Sequence, residues 1–163
     1  ETIDSMNNLI DWLPKNLPSE KRTGIVHGDY SLTNVMIGKN DPNVIAILDW
    51  ELSTLGDPCA DFNYHCLQYT MNPKLADKAY CKNQGIPVID DYVKMYSEKI
   101  NIDLTEEWDL YSAYNLFKLA GILQGILGRV RDGTAAHENA AERASGVRNL
   151  SDTAWDLVEK NFL

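Results

Sequence analysis

The segment "IVHGDYSLTNVMIG", residues 25–38, sets a histidine, an aspartate and an asparagine on one short loop between two runs rich in β-branched residues. Asp29 follows the first run, and Asn34 comes five residues later, where the chain enters the second. Asp49 stands near the end of a third run, "VIAILDW", residues 44–50. A loop followed by a tight hairpin brings all three to one edge of a small sheet. Two carboxylates and an amide oxygen are hard ligands that suit Mg²⁺, which keeps several waters and usually adds only one or two carboxylates plus phosphate oxygens of a substrate. A protein ligand set this sparse implies a phosphorylated partner.

The elements that must position these residues are readable from spacing and turn chemistry. Residues 24–27, 34–38 and 44–50 read as short extended pieces. The "KNDPN" between the last two is a turn signal, so those two form a hairpin. This small sheet is the only strand-like part of the sequence. Elsewhere the period is helical. Ile3, Met6, Leu9, Ile10 and Leu13 predict an amphipathic helix over 2–13 that Pro14 and Pro18 break. Asp57–Pro58 has the form of an N-cap followed by proline at the first helical position, opening a helix to about Tyr69. Residues 88–100 form a further amphipathic helix. A long helix over 105–130, capped by Thr105, shows only a narrow polar stripe at Asp109, Ser112, Asn115 and Lys118, which predicts burial. A last helix over 136–161 carries Trp155 and Val158 on one face. The fold class is α+β, mainly helical, with residues 1–163 as one domain.

The 163 residues suit a single core, with 44% hydrophobic and 24% charged side chains. A net charge of −9 disfavours a nucleic-acid surface, which needs clustered Lys and Arg. It would suit a cationic substrate, though net charge says little about a single pocket. No apolar run is long enough for a membrane span, and no signal-peptide pattern opens the chain. Cys59, Cys66 and Cys81 lack metal-ligand spacing and read as reduced core thiols of a cytoplasmic protein.

The ordered string "HGDYSLTNVMI…VIAILDWELSTLGDPCADF" resembles the core of the aminoglycoside phosphotransferase and choline kinase superfamily, which shares its two-lobed fold with protein kinases. Protein kinases have H-R-D-x-x-x-x-N with the same offset between catalytic Asp and metal-binding Asn, followed by D-F-G with a second metal ligand. Gly28 in place of that Arg, and Trp50 after Asp49, match the small-molecule branch. "LDWELSTLGDP" most resembles the subgroup fused to, or encoded near, acyl-CoA dehydrogenases. The resemblance implies that Asp29 orients the acceptor hydroxyl and takes its proton. It implies that Asn34 and Asp49 hold Mg²⁺ against the phosphates of ATP, that His27 packs under the loop, and that Asp61 braces it. The implied reaction transfers the γ-phosphate to a hydroxyl of a small molecule, either a hydroxyacyl-CoA-like metabolite or an aminoglycoside-like amine.

Nothing before His27 resembles the nucleotide-binding N-lobe of such a fold, and only about 26 residues precede the motif. The chain therefore reads as a C-lobe, part of a longer protein whose N-terminal nucleotide-binding lobe is a missing partner. By itself it is expected to be inactive or weak. Two other readings stand beside this one: a metal-dependent phosphoesterase using His27, Asp29, Asp49 and His65, and a non-catalytic, pseudokinase-like binding module. Asp57 reads as a helix cap, and His65 as a partner for Asp61 four residues earlier. Arg129, Arg131, Arg143 and Arg148 read as solvated helix ends before a phosphate-binding patch.

Overall fold

Helix formation follows the apolar spacing. The computed structural model describes residues 2–17, 22–134 and 140–163, and their side chains apart from those at 140, 143 and 144. In chain order the elements begin with α1 (Asp4–Asn16), β1 (Gly24–Val26), β2 (Val35–Ile37), β3 (Val44–Ile47) and β4 (Thr54–Gly56). They continue with α2 (Pro58–Cys66), α3 (Gln68–Met71), α4 (Pro73–Ala76), α5 (Lys78–Asn83) and α6 (Ile89–Ile100). The last are α7 (Trp108–Arg131), α8 (Ala140–Arg143) and α9 (Val147–Phe162). The chain divides into two compact units, one of Glu1–Pro18 with Asp109–Leu163 and one of Ser19–Trp108.

In the first unit α1 packs on α9. Met6, Leu9 and Leu13 are buried on one face of α1, and Val147, Leu150, Ala154 and Val158 on one face of α9. The Ser5 hydroxyl donates to Asp152 Oδ1 at 2.6 Å and lies 3.0 Å from Ser151 Oγ, a polar tie between the same two helices. Pro14 does not break α1 but sits inside it. A proline lacks its own N–H, so it leaves the Ile10 carbonyl without a helical donor. Ile10 is exposed, so water can serve that carbonyl, and the helix runs one turn past the expected stop. Pro18 lies outside the described residues.

Along α7, Leu110, Tyr111, Ala113, Asn115, Leu116 and Ala120 are buried, and no residue from 121 to 131 is. Only the first half of this helix meets the burial expected of it. Thr105 is not its cap: its backbone N–H and hydroxyl both donate to Asp103 in a local turn, and the helix starts at Trp108. The last helix is broken at Ala144–Gly146 by a 3₁₀ turn and runs from Val147; residues 136–139 of the expected span lie outside the described residues.

In the second unit β2 and β3 form the expected hairpin, antiparallel with Val35 opposite Ile47 and a bulge between Met36 and Ile37. The first extended piece does not join them. β1 instead pairs antiparallel with β4, Ile25 opposite Leu55, in a separate two-stranded sheet. A 3₁₀ turn, Trp50–Leu52, carries the chain from β3 to β4. Asp57 caps α2 as its sequence indicates, accepting from the Cys59 N–H at 2.9 Å, with Pro58 at the first position. Arg22 bridges Asp57 at 2.9 Å and also Glu107, with all three side chains largely covered. Phe62 of α2 stacks on Tyr96 of α6, centroids 3.8 Å apart and rings within 7° of parallel, and touches Tyr92 and Trp108. All three cysteines are free and buried, and burial pushes the Cys66 thiol up to about 12, which keeps it unreactive.

Leu9 has no exposed surface at the α1–α9 contact. Leu9→Ala is expected to cost about 2–5 kcal/mol, read from the urea unfolding midpoint of the chain.

Candidate active site

The candidate site is built on a backbone grip. Asp61 stands in the first turn of α2, where the cap and Pro58 fix its position. Its Oδ2 accepts from the backbone N–H of His27 and its Oδ1 from that of Gly28 at 3.0 Å. Gly28 turns the chain here with φ of +85°, and a Cβ on it would lie 2.5 Å from the carbonyl oxygen of Leu52. Glycine is required both by the backbone conformation and by the close approach.

His27 is 2% exposed. Its Nδ1 accepts from the Asp29 N–H at 3.2 Å, and its Nε2 lies 2.7 Å from the carbonyl oxygen of Leu48. These two partners assign the ring proton to Nε2, which donates to Leu48. The imidazole thus ties the loop to the residue before Asp49. Trp50, whose indole N–H donates to the Ile47 carbonyl at 2.8 Å, packs on the imidazole with centroids 4.7 Å apart.

The structure brings Asp29 and Asn34 into direct contact. The Asn34 Nδ2 donates to the Asp29 carbonyl at 2.9 Å and to its Oδ2 at 3.1 Å, which leaves the amide oxygen as the ligand atom of Asn34. The Asn34 carbonyl accepts from the Leu48 N–H at 2.8 Å, so Asn34 and Asp49 stand at the same end of the hairpin. Asp49 adopts a left-handed conformation, φ 65° and ψ 53°. It is exposed, and its carboxylate has no partner among the described residues. A non-glycine residue held in this region costs on the order of 1–3 kcal/mol and tends to occur where function requires it. One amide oxygen and one carboxylate make a sparse, hard donor set, which fits Mg²⁺ completed by waters and substrate phosphates.

Sequence reasoning missed Tyr64. It lies one helical turn after Asp61 on α2, half-buried and near enough to Asp29 to feel its charge. Burial first, and then the charge of the nearby Asp29 carboxylate, push this phenol up to about 12. The i, i+3 spacing from Asp61 was the available signal. His65 does not pair with Asp61, whose carboxylate is taken by the loop. Its ring packs on Tyr30 and Tyr92, with Nε2 3.3 Å from the Tyr92 hydroxyl.

The four residues of the phosphoesterase reading are not assembled as ligands. Both ring nitrogens of His27 are engaged by the loop. Among the described residues no group of three His, Cys, Asp or Glu side chains is arranged to hold a metal ion. Arg129, Arg131 and Arg148 are exposed, as solvated helix ends are; the Arg143 side chain lies outside those described. Beside the loop, a cavity of about 490 Å³ is lined by Tyr30, Trp50, Phe62, Tyr92 and Tyr96, with His27, Asp61 and Lys99 among its polar groups.

Comparison with known proteins gives a consistent picture. The sequence model of the phosphotransferase enzyme family (APH) matches residues 2–114. The crystal structure of a candidate aminoglycoside phosphotransferase from Ralstonia eutropha JMP134 superposes with a TM-score of 0.90 at 40% identity, covering 100% of this chain and 51% of that one. Acyl-CoA dehydrogenase family member 10 of Mus musculus is 37% identical over 98% of this chain and 15% of its own length. Acyl-CoA dehydrogenase family member 11 of Homo sapiens is 33% identical over 99% of this chain and 21% of its own length. The chain thus spans about half of the solved relative and about a fifth or less of these two curated ones. Its mainly helical build with two small sheets is that of the C-lobe of a kinase-like fold.

Gly28→Ala is expected to destabilise the chain by about 1–3 kcal/mol, because φ and the Leu52 carbonyl both oppose a Cβ; a thermal melt reads it. Burial holds His65 below its ordinary value of 6.5. The unfolded chain therefore binds the proton first as pH falls, and stability present above about pH 6.5 is lost on acidification below it. Urea midpoints measured from pH 7 down to pH 5 should fall less steeply in His65→Gln than in the unsubstituted chain.

Proposed function

The chain belongs to the phosphotransferase enzyme family, and from that premise we propose that residues 1–163 are the C-lobe of a kinase transferring the γ-phosphate of ATP to a hydroxyl of a small molecule. Asp29 orients the acceptor hydroxyl and takes its proton as the oxygen bonds to the γ-phosphorus and the bond to the ADP oxygen breaks. Asn34, through its amide oxygen, and Asp49 would hold Mg²⁺. That ion supplies neutralisation of phosphate charge. His27 and Asp61 keep the loop in register with the hairpin and touch no reacting atom. The observation that carries this reading is the contact of Asp29 with Asn34 on a gripped backbone, beside an exposed Asp49 carboxylate that has no partner among the described residues. Phosphoryl transfer asks mainly for such positioning and for charge neutralisation.

For the acceptor, a hydroxyacyl-CoA-like metabolite is favoured over an aminoglycoside-like amine. The curated relatives are acyl-CoA dehydrogenase family members in which the matched region is a small part of a longer protein. The cavity beside the loop is aromatic, and its one carboxylate, Asp61, is spent on two backbone amides, so it offers little to a polycation. The partners of this reading are the small-molecule acceptor, a nucleotide-binding lobe and an acyl-CoA dehydrogenase domain or neighbour, with no nucleic acid and no membrane. Buried free thiols and, among the described residues, no helix long and apolar enough to cross a membrane support a cytoplasmic setting.

The test is transfer of labelled γ-phosphate from ATP by the full-length protein to a panel of hydroxyacyl-CoAs and aminoglycosides. Asp29→Asn is expected to lower the rate about 10²–10⁴-fold with the fold intact. Undiminished transfer in that variant contradicts the role of Asp29, and transfer to aminoglycosides alone contradicts the acceptor.

A further inference from the structure

The cavity beside the loop has a buried floor and an exposed rim. His27 and Phe62 line it at 2% and 5% exposure, while Ile25, Trp50, Met95 and Lys99 are exposed. His27 and Tyr30 stand on either side of Gly28 and Asp29, so the cavity reaches the loop that carries the proton acceptor. Most of its side-chain polar groups are already taken. Both nitrogens of His27, both oxygens of Asp61 and the Trp50 N–H are engaged within the chain, and the Tyr92 hydroxyl lies 3.3 Å from His65 Nε2. What remains is an aromatic surface suited to an apolar chain, the hydroxyls of Tyr30 and Tyr96, and the ammonium of Lys99. At about 490 Å³ the cavity has the size of a small-molecule site.

Lys99 stands in the last turn of α6 and is the one Lys or Arg among the described residues that line the cavity. Lys94 and Glu98 of the same helix pair with each other at 3.9 Å, and Lys99 meets no carboxylate among the described residues. Its ammonium is a compact charge on a flexible stem, able to bind a phosphate or a carboxylate while its methylenes lie along an apolar wall. We propose that Lys99 is a specificity-determining residue of the acceptor site, binding an anionic group of an acceptor whose apolar chain lies in the aromatic cavity. The proposal rests on the reading of this chain as a lobe that phosphorylates a small-molecule hydroxyl. It adds that the acceptor is amphipathic and carries negative charge beyond its apolar part. A hydroxyacyl-CoA has that charge in its phosphates and a free hydroxy acid in its carboxylate, whereas an aminoglycoside has none.

A last-turn lysine also favours its own helix end, an effect that does not depend on the charge of the acceptor. Initial rates of γ-phosphate transfer from Mg²⁺–ATP by the full-length protein separate the two roles. One hydroxyacyl chain is presented as its CoA thioester, as the free acid and as the uncharged pantetheine thioester. Lys99→Gln is expected to raise KM about fivefold for the acceptor that bears the recognised anion, with kcat unchanged, and to leave KM for the pantetheine thioester within about twofold. Lys99→Arg keeps the charge and is expected to keep the low KM. Lys99→Met replaces Lys99→Gln if a thermal melt shows that the latter fails to fold. A rise confined to the CoA thioester assigns the anion to the phosphates, and one confined to the free acid assigns it to the carboxylate. A change under about twofold for both anionic acceptors, or an equal rise for the pantetheine thioester, overturns the role of Lys99 and leaves the phosphotransferase reading in place. No transfer by the unsubstituted protein to any of the three overturns the hydroxyacyl acceptor and this proposal with it.

Discussion

The carboxylate of Asp61 against the backbone amides of His27 and Gly28 is the interaction on which the rest of the site depends. It joins a helix that the sequence starts firmly, with Asp57 as cap and Pro58 behind it, to the backbone of the loop that carries Asp29. Hydrogen bonds to a charged acceptor are worth roughly 1.5–3 kcal/mol each, and leaving such a group without its donors costs more. Gly28 makes the grip possible, because no Cβ can stand between this turn and the Leu52 carbonyl. With the backbone fixed, the positions of His27 and Asp29 follow.

From that grip the constraint passes to the hairpin by two routes. His27 reaches the Leu48 carbonyl through its ring, and Asn34 takes the Leu48 N–H on its own carbonyl. Leu48 is thereby held from both sides, and the next residue, Asp49, emerges in a left-handed turn with its carboxylate exposed. Strain at Asp49 is tolerated because its neighbours are over-determined. The side chain that belongs to the loop is pinned, and the one that would meet a cation is left available. That division of labour is what a phosphotransferase needs from its protein groups.

Much of this was legible in the sequence because the residues concerned act locally or in fixed order. The Asp57–Pro58 cap, the hairpin around "KNDPN" and the order of HGD, Asn34, LDWE and GDPCADF all report on short stretches whose physics is self-contained. What escaped reading was long-range. Thr54–Gly56 is three residues without alternation, and only the partner β1 makes it a strand. Thr105 looks like a cap until Asp103, two residues earlier, captures both of its donors. Pro14 has the look of a stop, yet Ile10, whose carbonyl loses its donor, is exposed, and the helix continues. His65 loses its expected partner because Asp61 is committed elsewhere. Tyr64 stands at the right helical spacing, but nothing local says that the Asp29 charge reaches it.

The central claim is that Asn34 and Asp49 form half of a cation site that is completed by nucleotide phosphates. Paramagnetic broadening of NMR signals by Mn²⁺, with and without ATP, tests it directly on this chain and on Asp49→Asn. The account predicts broadening centred on Asn34 and Asp49 that strengthens with ATP and disappears in the variant. Broadening that ignores the substitution, or that centres on His27 and His65 without nucleotide, would contradict it.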